Sequence, residues 1–410
     1  MRQDNISKNN FEQCLKCDLC TTVCPMMAVN PNYPGPKQAG PDGERYRLKD
    51  PAFYDLTLKY CLNCKRCEVA CPSGVAVGDI IQTARILYGR QSHPLRDTLL
   101  ASTDFVGGLA VPVASTVNKA LAAPAVKTVL HGFGVDKRRH LPEYAPEKFT
   151  SWFAAHPQEG FDRYVSYYHG CYVNYNYPQL GRDLVALMNA CGYGVRLLDK
   201  EKCCGVALIT NGMTFRARKN ARTNLAAIRK ALADSSEAVI TSSSTCTFTI
   251  RDEYDHLLEQ PADDIRSSLM LATKWLYSKV EKGELRLAFK EGWTGNMAYH
   301  VACHMQKLGW TLYSVGLLRM IPGLKLTVLE QECCGIAGTF GFKKENYPFS
   351  QKIGEKLFAK IAGSRADAVV TDCETCKWQI EMSTPYKVFN PIEVLLSALD
   401  IEKTKELNRK

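Results

Sequence analysis

Residues 14–25 read CLKCDLCTTVCP, and residues 61–72 read CLNCKRCEVACP. Both are Cys-x2-Cys-x2-Cys-x3-Cys-Pro, and each cysteine of the second run lies 47 positions after its counterpart in the first. Gaps of two residues let one turn of backbone aim three thiolates at three corners of an iron–sulfur cube, while the fourth thiolate of such a run crosses to the neighbouring cube. The spacing therefore predicts one [4Fe–4S] ligand set of Cys14, Cys17, Cys20 and Cys71, and a second of Cys61, Cys64, Cys67 and Cys24. Pro25 and Pro72 end each turn without adding an N–H that needs a partner. A structural zinc pair would use two Cys-x-x-Cys halves set well apart, and a disulfide framework belongs to exported chains. A four-cysteine run closed by proline fits neither.

The whole chain supports an electron-carrying reading. Its 410 residues are enough for two or three domains, each with its own core. Hydrophobic and charged fractions of 46% and 23% are those of an ordinary globular protein, and 18 cysteines need a chemical task. The polar start, Met1–Gln13, contains no secretory h-region, so reduced thiols and a cytoplasmic location are expected. No uncharged apolar run of about 18 residues is present, so no transmembrane helix is expected. The nearest candidate, Phe105–Asn118, holds Gly107, Gly108 and Pro112; it is expected to be a buried or domain-bridging segment, with a membrane-surface helix as the alternative. The formal charge of +10 suits an anionic membrane surface or an acidic protein partner. No aromatic-interleaved basic motif points to nucleic acid, and no flavin or nucleotide motif is present.

A second duplication, with a period near 130, follows residue 160. Cys203-Cys204-Gly205 recurs at Cys333-Cys334-Gly335, Cys246 at Cys376, and Cys171 at Cys303. In both halves short apolar runs alternate with helical periodicity. Strands are predicted over 164–169, 195–199 and 238–241, then over 297–301, 324–329 and 368–371; helices are predicted over 178–191, 213–233, 306–320 and 345–362. That is the signature of parallel βαβ units. The cysteines follow strands, which places them at the carboxyl edge of a sheet, where open α/β folds put their sites.

The second half offers a complete set of Cys303, Cys333, Cys334, Cys373 and Cys376. The first offers Cys171, Cys203, Cys204 and Cys246, with Ser243 standing where the second half has Cys373. Cys191 has no counterpart and reads as a packed core thiol. His169, His300 and His304 flank Cys171 and Cys303 as ligand, proton-donor or strand-end candidates. Gly335, Gly338 and Gly341 suggest close backbone approach to a cluster. The expected organisation is α/β plus α+β. Residues 1–90 form a mostly helical two-cluster ferredoxin-type domain, 91–160 a connector that could touch membrane or partner, and 161–285 and 286–410 two cysteine-rich domains.

These runs, with NPNYPGPKQAGPDGERYRLKD (30–50), CCGIAGTFGFKKENYP (333–348) and TDCETCKWQIEMST (371–384), resemble a family of membrane-associated respiratory iron–sulfur subunits. The family includes heterodisulfide reductase subunits, glycolate or lactate oxidase iron–sulfur subunits and, most similar, the C subunits of bacterial anaerobic glycerol-3-phosphate dehydrogenases. The resemblance implies a non-catalytic carrier at the cytoplasmic face of the inner membrane, attached peripherally. It would take electrons from the flavoprotein catalytic A and B subunits and pass them through the second cysteine-rich half towards menaquinone. It also implies that the five-cysteine set holds a noncubane cluster, which Ser243 puts in doubt for the first half. A thiol–disulfide oxidoreductase and a redox-silent zinc adaptor are the rival readings.

Overall fold

A computed structural model describes residues 10–50, 53, 55–89 and 93–409. Two four-stranded parallel sheets organise the part after residue 160. The first is built from β1 (Tyr164–Tyr168), β2 (Gly194–Leu197), β3 (Val239–Thr241) and β4 (Leu269–Leu271), in the order β2-β1-β3-β4. The second repeats the order, as β6-β5-β7-β8, from β5 (Gly295–Tyr299), β6 (Leu324–Val328), β7 (Ala368–Val370) and β8 (Val388–Phe389). All neighbouring pairs are parallel, with Tyr167 opposite Ile240 and Tyr299 opposite Val370. Such strands are covered by helices on both faces, so β3 and β7 are apolar and fully buried instead of alternating.

The six predicted strands are all present, within one or two residues of their expected limits. The sequence predicts neither β4 nor β8: at three and two residues they are too short to show a period. The helix Pro178–Ala190 opens on a proline in its first turn and buries Leu180, Leu184, Leu187 and Met188 along one stripe. The helix expected over 306–320 is two, Cys303–Leu308 and Thr311–Arg319, because Gly309 takes a left-handed φ of 70° that ends the first. The two halves share one core, in which Val165, Tyr167 and Ile240 of the first sheet join Tyr299 and Val370 of the second and Leu395 of the helix Pro391–Ala398. Backbone also crosses between them, the Ser244 N–H donating to the Asp372 carbonyl at 2.8 Å.

Among the described residues of 10–75 the helices are short, such as Leu19–Thr22, Gly43–Lys49 and Arg66–Val69, and the longer Val77–Tyr88 follows. Their core, with Met26, Tyr33, Leu58 and Ile80, runs directly into Cys333, Phe340 and Ile353 of the second cysteine-rich half.

The connector departs from expectation. Thr103–Ala110, a 3-10 turn at Val111–Val113 carrying Pro112, and Ala114–Ala122 form one apolar helical run, of which only 22% is buried. Of the expected alternatives, burial is therefore not what the run shows. With a mean hydropathy of 1.3 over Thr103–Ala122, it is also long and apolar enough, by length and composition, to cross a membrane, which a charge-free-run criterion misses. Its inner face rests on Tyr175 through Gly107, where any Cβ would come within 2.5 Å of the ring. Phe105, Leu109 and Val113 face outward, 62%, 62% and 54% exposed.

Candidate metal centres

Each ferredoxin run bends through left-handed backbone at matching positions. Lys16 and Asp18 take φ of 58° and 63°; Asn63 and Lys65, 47 residues on, take 55° and 59°. Left-handed conformations cost energy in non-glycine residues, and four at paired positions mark a built site. They turn successive N–H groups inward, as in an anion-binding nest.

Two cavities result. One, of about 330 Å³ and partly open to solvent, is lined by Cys14, Cys17, Cys20 and Cys71. The other, of about 380 Å³, is lined by Cys24, Cys61, Cys64 and Cys67, together with Tyr33 and Lys65. Cys71, of the second run, lines the first cavity, and Cys24, of the first run, lines the second. Among the described residues no three His, Cys, Asp or Glu side chains gather closely enough for a single ion.

In both cysteine-rich halves the cysteines follow the carboxyl ends of strands. Cys171 follows β1 and Cys303 follows β5, the strands at which the order reverses. This is the crevice where open α/β sheets bind ligands. The thiols of Cys171, Cys203, Cys204 and Cys246 are in hydrogen-bonding contact in that order. In the second half the five expected cysteines divide: Cys373, Cys376 and Cys334 touch one another, whereas Cys333 touches Cys303, which in turn touches Cys64 of the ferredoxin region. Gly205 and Gly335 both take left-handed φ, of 89° and 88°.

The chain aligns with the 4Fe-4S dicluster domain family over residues 10–75, and with the cysteine-rich CCG domain family over 165–251 and 297–381. It is 54% identical over 397 residues to the C subunit of the anaerobic glycerol-3-phosphate dehydrogenase of Escherichia coli, covering 96% of this chain and 100% of that one. The chain belongs to the family of anaerobic glycerol-3-phosphate dehydrogenase C subunits. More distant relatives include the glycolate oxidase iron–sulfur subunit of Escherichia coli, 25% identical over 95% of this chain and 94% of that one. Another is the B subunit of the fumarate reductase (CoM/CoB) of Methanothermobacter marburgensis, 24% identical over 96% and 73%. A solved glutamate racemase of Bacillus anthracis aligns at a TM-score of 0.29 with 9% identity, over 58% of this chain and 80% of that one, too loosely to argue from. Like its relatives in this family, the chain is an iron–sulfur protein with [4Fe–4S] clusters.

Around the thiols, burial sets the baseline. It pushes the Cys24 thiol up to about 12, helped by neighbouring Cys64 and Cys61, and raises Cys67 well above its usual range. Metal binding must displace these protons, so cluster assembly here releases protons. Contact with Cys303 instead holds Cys64 down to about 7, and contact with Cys376 holds Cys373 down to about 5. Sulfur also accepts from the protein: Val75 N–H from 3.3 Å onto Cys71, Gln82 Nε2 from 3.6 Å onto Cys61 and Gly335 N–H from 3.4 Å onto Cys333.

The flanking histidines separate. His169 is satisfied, its Nδ1 being 2.9 Å from the Gly170 carbonyl and 3.3 Å from Glu201. His304 stacks on Phe248 and reaches the Asn63 carbonyl. His300 is 1% exposed, and neither ring nitrogen has a protein partner; burial lowers its pKa to about 4. A buried imidazole with no partner beside cysteines fits a site built for a further group. Cys191 is a fully buried core thiol, as expected. A Cβ at Gly335 would meet the Ser350 carbonyl at 2.0 Å, and one at Gly341 the Ser350 hydroxyl at 2.5 Å, so both glycines admit the helix Tyr347–Gly363, while Gly338 faces open space.

Ser243 is not presented as a ligand. Its hydroxyl accepts from the Cys246 N–H at 3.2 Å, capping the helix Ser244–Phe248, and donates to Glu374 at 2.8 Å. Two residues that motif spacing could not indicate lie at the sites. Lys65, inside the second run, buries its ammonium among Asp79, Glu68 and Glu253. Asp104, from the connector, accepts the Cys203 N–H at 2.8 Å.

Proposed function

We propose that this chain is the electron-transfer subunit of a quinone-linked glycerol-3-phosphate dehydrogenase, joining flavin-bearing catalytic subunits to menaquinone at the membrane surface. The observation that carries the reading is two adjoining four-thiol cavities, the second in thiol contact with the second cysteine-rich half. When bound, iron–sulfur clusters supply one-electron chemistry at potentials set by hydrogen bonds to sulfur, burial and charge. The chain's residues do the rest. Cys14, Cys17, Cys20 and Cys71 would hold one cube; Cys61, Cys64, Cys67 and Cys24 the other. Cys303, Cys333, Cys334, Cys373 and Cys376 would hold a further cluster, although its thiols are shared between two contact groups.

Cys64 against Cys303 gives the order of ligand sets: the first ferredoxin set, the second, then the second cysteine-rich half. The first set, with Cys17 and Leu15 exposed, is the face available to a flavoprotein. The exposed run Thr103–Ala122, with Val129 and Phe133 beyond it and Lys119, Lys127 and Lys137 nearby, supports peripheral attachment to an anionic membrane surface.

Low-temperature EPR and iron analysis of anaerobically purified chain would test the core of this reading. The expected result is at least about eight irons per chain with magnetically interacting cubane signals. Zinc-loaded, EPR-silent protein would overturn it. Pull-down from anaerobically grown cells should recover a flavoprotein with glycerol-3-phosphate dehydrogenase activity.

A further inference from the structure

We propose that Asp104 completes the first cysteine-rich site, its carboxylate being the iron ligand that Ser243 does not provide. The inference rests on reading the chain as an iron–sulfur carrier and identifies one residue of one site.

The thiols of Cys171, Cys203, Cys204 and Cys246 already form one contiguous group at the crevice of the first sheet. Relative to the second half the group lacks one ligand, and the residue at the aligned position is committed elsewhere. The Ser243 hydroxyl lies against the Cys246 thiol, but its oxygen already accepts the Cys246 N–H and its proton is donated in a hydrogen bond to Glu374, so binding iron would take that proton and strand a buried carboxyl.

Asp104 reaches the same group from the connector. Its Oδ2 is 2.8 Å from the Cys203 backbone nitrogen, and its charge bears on Cys171 as well as Cys203. Beside it, the buried Thr103 hydroxyl has no nitrogen or oxygen partner and lies against the Cys203 thiol. A carboxylate near thiolates is repelled in a low-dielectric site, and a bound cation would outweigh that repulsion by attracting each of the anions. Carboxylate oxygen is an established ligand type for iron, harder than thiolate and more readily exchanged. The second half is arranged differently, with Cys303 meeting both Cys333 and Cys64 of the ferredoxin region. Asp104 is also the second residue of the exposed apolar helix Thr103–Ala110. The ligand and the proposed membrane contact therefore belong to one element.

The test uses full-length chain purified without oxygen, with the ferredoxin cubane signals as the folding control. A Cys204→Ser variant first identifies the iron and the EPR features that belong to this site. Asp104→Asn keeps an acceptor for the Cys203 N–H; it should lower the iron content and alter those features while the cubane signals stay unchanged. Asp104→Cys should restore the iron with a shifted spectrum. An Asp104→Asn protein matching the parent in iron and spectrum overturns the proposal. So does a Cys204→Ser variant that loses no iron. Absence of cubane signals from the parent would instead bring down the carrier reading, and this inference with it.

Discussion

Lys65 shows how one side chain can bind two parts of the chain together. It follows Cys64, takes left-handed backbone, and places a fully buried ammonium between Asp79, Glu68 at 3.6 Å and Glu253 at 3.8 Å. Glu253 belongs to the first cysteine-rich half, so the ion pair ties that half to the second ferredoxin run. Removing a buried charge strands its partners, which typically costs about 3–5 kcal/mol. Lys65→Met should lower unfolding stability by that order in anaerobic denaturant titrations. Its counterpart Asp18 pairs with Lys37 near the surface, and Asp18→Asn should change stability by less than about 1 kcal/mol.

His256 supplies a pH signature at the same place. Its Nδ1 lies 3.1 Å from Asp79, and that hydrogen bond raises its pKa. A group whose pKa is raised on folding gives stability that is complete below its unfolded value of about 6.5. That contribution is lost as pH rises through the elevated folded value. His256→Gln should therefore be destabilised relative to the parent at low pH, with the gap closing as the solution is made alkaline. A gap independent of pH would refute the assignment.

At the scale of elements, the apolar run Thr103–Ala122 is anchored by its small residues and leaves its large ones outside. Its composition is legible in the sequence, but its exposure is not: periodicity gives a helix an apolar face without saying what covers it. Leu109→Gln with Val113→Gln should leave thermal stability nearly unchanged, since both side chains are exposed. If they enter a bilayer interface, each contributes roughly 1.5–3 kcal/mol. Binding to anionic vesicles in sedimentation assays should then fall by more than about tenfold; unchanged binding would remove these side chains from the membrane contact.

The ferredoxin region makes the opposite point. Its four-residue helices Leu19–Thr22 and Arg66–Val69 are too short to be stable alone, and its thiols line cavities instead of packing into a core. Chelation or oxidative loss of iron should unfold residues 10–75 while the two sheets persist. Hydrogen exchange would show this as loss of protection confined to the amino-terminal region.

For the molecule as a whole, the eight-cysteine runs, the CCG duplication, six of eight strands and the family resemblance could all be read in the sequence. They are local or periodic features: ligand spacing is set by the reach of one backbone turn, and strand and helix patterns by side-chain period. Cys24 and Cys71 could be assigned across runs for the same reason. Three things came only from the tertiary structure. One is the contact of Cys64 with Cys303, made by residues 239 positions apart. Another is the turning of Ser243 towards Glu374, 131 positions away. The third is the arrival of Asp104 at Cys203, 99 positions away. No period or motif encodes such pairs, because each is decided by how separately folded elements pack, and packing depends on shape and burial summed over the whole chain.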